Sequence, residues 1–340
     1  MNFFMNPIAF NDAIPRLVVG AVFALELFLI AIGIFFCLSA IIVLSRTSQL
    51  HINLTIIVCI CAAQYLIGGT SRAFIVCKLW IAMRYDAVDL KTSNVISVFY
   101  TIRVAMIFIG SYSLPFIVVE RIFATYMLND YETRRRLWIP ISLYCIISPL
   151  YTASVYFWFN GTIAEIIVVG VILLINTIAS LGFVFIYRTN YRLNMIRRFP
   201  TKLQKFYDNK RISSLSQKFQ LHENLRSFEF IKNAFVCSAY IVVIACAVHV
   251  VGITSTNSFV ANTSLEIFDL LLACHAIVVP FVGARCNPVW MRDYNRLTNH
   301  CFPWRRQDNK VVHPIANLPN NVDANAISEC YFQQLKIEWN

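Results

Sequence analysis

Charge is scarce in this sequence. Only 14% of its 340 residues are Asp, Glu, Lys or Arg, while 58% are hydrophobic; the charged share is about half that of a soluble protein. A water-soluble fold has nowhere to bury so much apolar side chain, so the two soluble domains that length alone would suggest are excluded. The short segments of alternating polarity that a membrane β-barrel needs are lacking. No H-E-x-x-H, G-x-S-x-G or phosphate-binding glycine loop occurs, so enzyme function has no residue support and neither a metal nor another cofactor is expected. The net charge is +11, yet no groove-reading motif accompanies the basic residues, which argues against nucleic acid as a partner. Internal repeats of the transporter kind are missing too. The cysteines lack a pairing logic. Cys37, Cys59, Cys61, Cys145, Cys237, Cys246 and Cys274 sit in apolar blocks, where a thiol behaves as a small hydrophobe. Cys286, Cys301 and Cys330 fall on the side assigned below to the reducing cytoplasm, and Cys77 alone faces outside, so no structural disulfide is expected.

What is present is a set of long apolar blocks. A helix needs roughly 20 such residues to cross about 30 Å of hydrocarbon, and only helices or closed barrels do so with every backbone group paired. Seven blocks qualify, at about 17–44, 53–76, 95–121, 137–159, 166–187, 233–254 and 266–287. The fourth and fifth of these contain no charged residue. The first is too long for a signal-peptide core and no small-residue cleavage site follows it, so it reads as an uncleaved anchor. The expected fold is an all-α membrane protein, a seven-transmembrane helix bundle over 17–290, with residues 1–16 extracellular and a largely disordered cytoplasmic tail at 291–340.

Seven spans put the two ends on opposite faces, and the positive-inside rule chooses which. With the N-terminus outside, the inner segments hold 23 Lys and Arg against 4 in the outer ones, and 16 against 4 without the tail. The segment 188–232 is the one long connection; Leu215, Phe219, Leu225 and Phe228 recur there at helical intervals, which predicts that its second half extends span six. Two glycosylation sequons, at Asn160 and Asn262, fall in short loops expected outside, whereas Asn53-Leu-Thr at the inner side reads as a chance match.

At the inner end of span three stand Glu120 and Arg121. A carboxylate can hold its neighbouring guanidinium in one state and release it inward when the helix ends part; a boundary arginine that merely snorkels would look the same in sequence. Glu26, Arg72, Arg103 and Asp269 lie inside spans, in their outer third to half, where charge is costly. Two acids and two bases at one depth either pair with one another or line a polar outer cavity. Asn176, His249 and His275 are further cavity candidates; Asn176 is expected to bond a neighbouring helix, and a histidine in a helix is more often a satisfied interior group than a ligand contact. Interior arginines favour an acidic or acceptor-rich ligand over a cation.

Several stretches together are similar to a known family. They are Leu50-His51-Ile52-Asn53-Leu54, the run from Glu120-Arg121 through Ala124-Thr125 to Asp130-Tyr131-Glu132, the segment from Leu215 to Asn224, and Arg285-Cys286-Asn287-Pro288. With them the chain resembles the nematode serpentine receptors of class epsilon, from span one to about residue 300. That resemblance implies a G-protein-coupled chemosensory receptor in the plasma membrane of sensory-neuron cilia. Its partners would be a heterotrimeric G protein, a small environmental molecule and the lipid bilayer, with a dimer also compatible. Glu120 and Arg121 would form the G-protein switch, and Asn287 and Pro288 the span-seven motif. Two departures from the broader rhodopsin-like pattern stand out. Residues 160–165 offer no cysteine for the usual bridge to span three, and span seven ends Asn287-Pro288-Val289-Trp290 without the usual tyrosine.

Further absences narrow the function. No lysine occurs between Lys232 and Lys310, so span seven cannot carry a retinal Schiff base. The outer half of span three has no acid to hold an amine cation. Cys286 and Cys301 are candidates for acylation near the membrane. The alternative function is a ligand-gated channel or transporter of the seven-helix type; a transporter is expected to show repeats or broken helices at midplane.

Overall fold

The computed structural model describes residues 16–46, 50–85, 94–127, 136–198, 215–286 and 288–301. By contacts the chain divides into Met1–Leu297 and Thr298–Asn340; of the second unit only the last residues of a helix are described. Among the described residues, seven helical runs are long and apolar enough to cross a membrane: Val18–Arg46, Ile52–Ala82, Asn94–Tyr126, Trp138–Trp158, Thr162–Arg192, Phe230–Thr254 and Ser258–Arg285. They are numbered here as spans one to seven. Large apolar side chains on their outer faces, such as Phe28, Ile146 and Phe185, stay exposed, as they would be toward lipid. The interior is continuous: Phe108, Tyr112, Ile139, Trp158 and Ile172 pack spans three, four and five together. At the other end, Leu44, Leu54, Val118 and Phe183 of spans one, two, three and five pack with Phe228 and Trp290.

The helix ends follow local chemistry. His51 begins span two by accepting, at Nδ1, the N–H of Asn53 at 3.3 Å, one of the donors a helix start leaves without a partner. Spans four and five are joined by a turn in which Gly161 takes φ of +108°, a left-handed conformation that a side chain would strain. Asn257 caps span seven, its side chain accepting from the Phe259 N–H at 2.9 Å. Both starts lie earlier than the apolar blocks indicate: span five begins at Thr162, not 166, and span seven at Ser258, not 266. The hydrophobic block marks where lipid begins, whereas the cap marks where the helix begins.

The helix carrying span six runs from Leu215 to Thr254, and that of span five continues to Arg198. After span seven a separate helix, Pro288–Cys301, starts on a proline, whose missing N–H costs nothing at a first helical position. Residues 291–301, the first part of the expected tail, are helical; 302–340, 1–15, 128–135 and 199–214 lie outside the described residues.

Prolines interrupt the bonding ladder inside three spans, and each freed carbonyl finds a partner. Pro115 removes the donor for the Ser111 carbonyl, and span three breaks at Tyr112. Asn176 of span five donates to that carbonyl at 3.0 Å. Pro149 frees the Cys145 carbonyl, which accepts from Ser148 Oγ at 3.0 Å. Pro280 frees the Ala276 carbonyl, against which the Cys37 thiol of span one lies at 3.5 Å. The break in span three differs from the unbroken helix expected there. It is a single-residue kink whose open position is filled by protein, as a non-helical backbone at membrane depth requires.

Candidate functional site

Four of the interior charges expected from sequence meet, and a fifth joins them. Arg72 of span two forks onto Glu26 of span one, with Nε 2.5 Å from Oε1 and Nη2 3.0 Å from Oε2. The same Nη2 lies 3.1 Å from Glu266 and 2.9 Å from Asp269, both on span seven. Arg103 of span three pairs with the other oxygen of Asp269. All five side chains are buried. The charges pair with one another, so both guanidiniums already face carboxylates. Glu266 escaped the sequence reading because it stood at the supposed edge of span seven. Since the helix begins eight residues earlier, at Ser258, the residue lies about 12 Å inside it.

Beneath this cluster, toward the end of the bundle that carries Glu120 and Arg121, spans one, two, three, five, six and seven enclose a cavity of about 200 Å³. Arg72, Arg103 and Asp269 form one end of it and His275 lines the other. Between them the walls are mostly apolar, with Gln64, Asn176 and Ser238 as polar points. Asn176 is thus shared: it bonds the broken helix, as expected, and also lines the cavity. His275 joins three spans. Its Nδ1 bonds the Tyr65 hydroxyl of span two, and its Nε2 lies 2.7 Å from Ser238 Oγ of span six. Such a buried histidine, with both nitrogens engaged, is a structural node that also faces the cavity.

His249 belongs to a different cluster. It stacks on Trp158 of span four, with ring centroids 4.6 Å apart, and its Nε2 lies 3.5 Å from Glu165 of span five. It borders a smaller space of about 50 Å³ with Arg103 and Asp269 but does not line the main cavity. Glu165 was missed from sequence because residues 160–165 read as a loop; the turn at Gly161 starts the helix before it, and it is buried.

At the opposite end of the bundle, Arg121 forks onto its neighbour Glu120, with Nε 2.5 Å from Oε2 and Nη2 2.6 Å from Oε1. Both are almost wholly buried, at 1% and 0% exposure, which a snorkelling arginine would not be. Thr125 and Asn190 extend the polar contact to span five, the Asn190 amide donating to Thr125 Oγ1 at 2.9 Å.

The remaining expected positions fall as follows. Asn160 is exposed in the turn after span four, its side chain donating to the Tyr156 carbonyl at 2.9 Å. Asn262, expected in a loop, lies in the span-seven helix and is 7% exposed, because the Asn257 cap starts that helix ahead of it. Cys286 is exposed and accepts from Asn233 of span six at 3.2 Å. Asn287 and the side chains of Pro288 and Cys301 lie outside the described residues, as do the side chains from Leu215 to Asn224.

Comparison with known proteins agrees with this architecture. Serpentine receptor class epsilon-8 of Caenorhabditis elegans is 25% identical over 258 residues, covering 75% of this chain and 72% of the relative. Serpentine receptor class epsilon-13 of the same organism is 27% identical over 243 residues, covering 69% and 64%. Serpentine receptor class epsilon-21 is 30% identical over 148 residues, covering 43% and 39%. The family model described as "Sre G protein-coupled chemoreceptor" matches residues 1–340. With its seven membrane-spanning helices, the chain belongs to the Sre family of G protein-coupled chemoreceptors.

Proposed function

We propose that the chain is a ligand-operated switch in the plasma membrane, with its N-terminus outside. An environmental small molecule enters the cavity beneath the five-charge cluster, and a heterotrimeric G protein reads the end that carries Arg121. The orientation rests on the 23-to-4 distribution of Lys and Arg. The observation that carries the function is the pairing of an interior cavity of about 200 Å³ with a fully buried Glu120–Arg121 fork at the other end of the same bundle. A ligand shifts such a protein only by binding one arrangement better than the other. Here the active arrangement is the one in which the inner helix ends part and Arg121 leaves Glu120 for solvent or the G protein.

The ligand is uncharged. The two arginines at the cavity's end are engaged by three acids, so an incoming anion would have to displace Asp269 and a cation would have to compete with the guanidiniums for the same carboxylates. Membership of a chemoreceptor family supports a site of action in sensory neurons, with their cilia as the natural site of exposure to outside chemicals. Cavity candidates by geometry are Arg72, Arg103, Asn176, Asp269 and His275, with Glu26 supporting Arg72 from behind.

A screen of volatile and water-soluble compounds in cells, with a calcium or cAMP readout, identifies an activator. Arg121→Ala then abolishes the evoked signal while surface expression persists. Undiminished signalling from that variant refutes the scheme, as does a ligand-evoked current in a bilayer without G protein, which would favour the channel alternative. An activator set made up of organic acids or amines alone would refute the uncharged-ligand assignment.

A further inference from the structure

A second cavity, of about 150 Å³, lies between the Tyr65–His275–Ser238 node and the side chains of Trp290 and Tyr294. It shares one wall with the outer cavity, in which Tyr65, Ser113, Leu114, Phe235, Ser238 and His275 each face both spaces. No Asp, Glu, Lys or Arg lines it among the described residues. Leu44, Val58 and Ile231 make its sides, and Phe230 and Trp290 close one end with rings 4.6 Å apart and nearly perpendicular. Gly283 makes that closure fit: a Cβ there would stand 2.7 Å from a ring carbon of Phe230. The other end is polar. Both ring nitrogens of His275 are engaged, but the hydroxyl oxygens of Tyr65 and Ser238 keep lone pairs that can accept another hydrogen bond.

An apolar cavity left empty forfeits the contacts its lining would make, and natural interiors rarely hold one larger than a water molecule. Dry cavities of about 150 Å³ in soluble proteins take up benzene or xenon. We propose that this inner cavity is a second small-molecule site, which takes a compact, uncharged, apolar compound of about one aromatic ring bearing at most one hydrogen-bond donor. The ring lies against Val58, Phe230 and Ile231, and the donor, if present, reaches Ser238 or Tyr65. The site is distinct from the outer cavity that the proposed signalling uses.

Toluene is the probe, and the full-length protein in phospholipid nanodiscs is the sample, so that acyl chains are already present as competitors. Saturating toluene is expected to raise Tm by about 5 °C. Ala234 and Val58 line the inner cavity alone, whereas Ala239 lines the outer one alone. Ala234→Phe and Val58→Phe are two independent ways to fill the inner space, and Ala239→Phe fills the outer. The shift disappears in the first two variants and persists in the third. The inference is overturned if wild type shows no shift, if the shift survives both inner fillings, or if Ala239→Phe abolishes it. An equal shift with sodium benzoate would overturn the uncharged class. The measurement needs no G protein, so its failure and that of the signalling assay are told apart.

Discussion

Arg72 is the residue on which the interior cluster turns, since it touches Glu26, Glu266 and Asp269 together. Removing one partner of a buried ion pair costs about 3–5 kcal/mol, because the other charges remain buried without compensation. Arg72→Ala is therefore expected to lower Tm sharply and to cut surface staining. Arg72→Lys restores the charge but not the planar fork and falls in between. Equal surface staining of Arg72→Ala and wild type would show that the cluster does not hold the fold. At the other end, Glu120→Gln weakens the restraint on Arg121 while keeping the shape. Basal signalling without ligand is expected to rise, measured against receptor number at the surface. Four cluster members were legible as charges within apolar blocks; Glu266 and Glu165 were not, because each sits where hydropathy suggests an edge.

At the scale of elements, the kink in span three depends on a residue of span five. Asn176→Leu leaves the Ser111 carbonyl without its side-chain partner inside the bundle. An unsatisfied buried acceptor costs about 1–3 kcal/mol, so Tm falls. An unchanged Tm would mean that span three closes the gap itself. The existence of each span was readable from its apolar run, since lipid demands a minimum length. The starts of spans five and seven were not, because Gly161 and Asn257 set them through backbone conformation and a side-chain cap. The kink was half legible: Pro115 announces a missing donor, but nothing local says which helix supplies the replacement.

At the scale of the whole molecule, the distribution of basic residues and the accessible sequon make a joint prediction about orientation. Asn160 is exposed and Asn262 is buried, so one glycan is expected. Asn160→Gln should abolish the glycosidase-sensitive gel shift and Asn262→Gln should leave it unchanged. An epitope on the first residues should be stained in cells that have not been permeabilised. A tag reached only after the membrane is opened, together with an unglycosylated Asn160, would invert the topology and with it the proposed function.

By itself the sequence determined that the chain crosses the membrane seven times as helices, because no soluble fold could hide so much apolar surface and no barrel could be drawn from unalternating runs. It also marked which residues are costly enough in lipid to need a reason. Which of those charges meet, that His275 faces the cavity while His249 stacks away from it, and that two cavities share one wall were decided only by packing. The cause is distance along the chain. Glu26, Arg72, Arg103, Glu266 and Asp269 come from four spans, and no local pattern records how helices rotate against one another when their partners lie tens to hundreds of residues away.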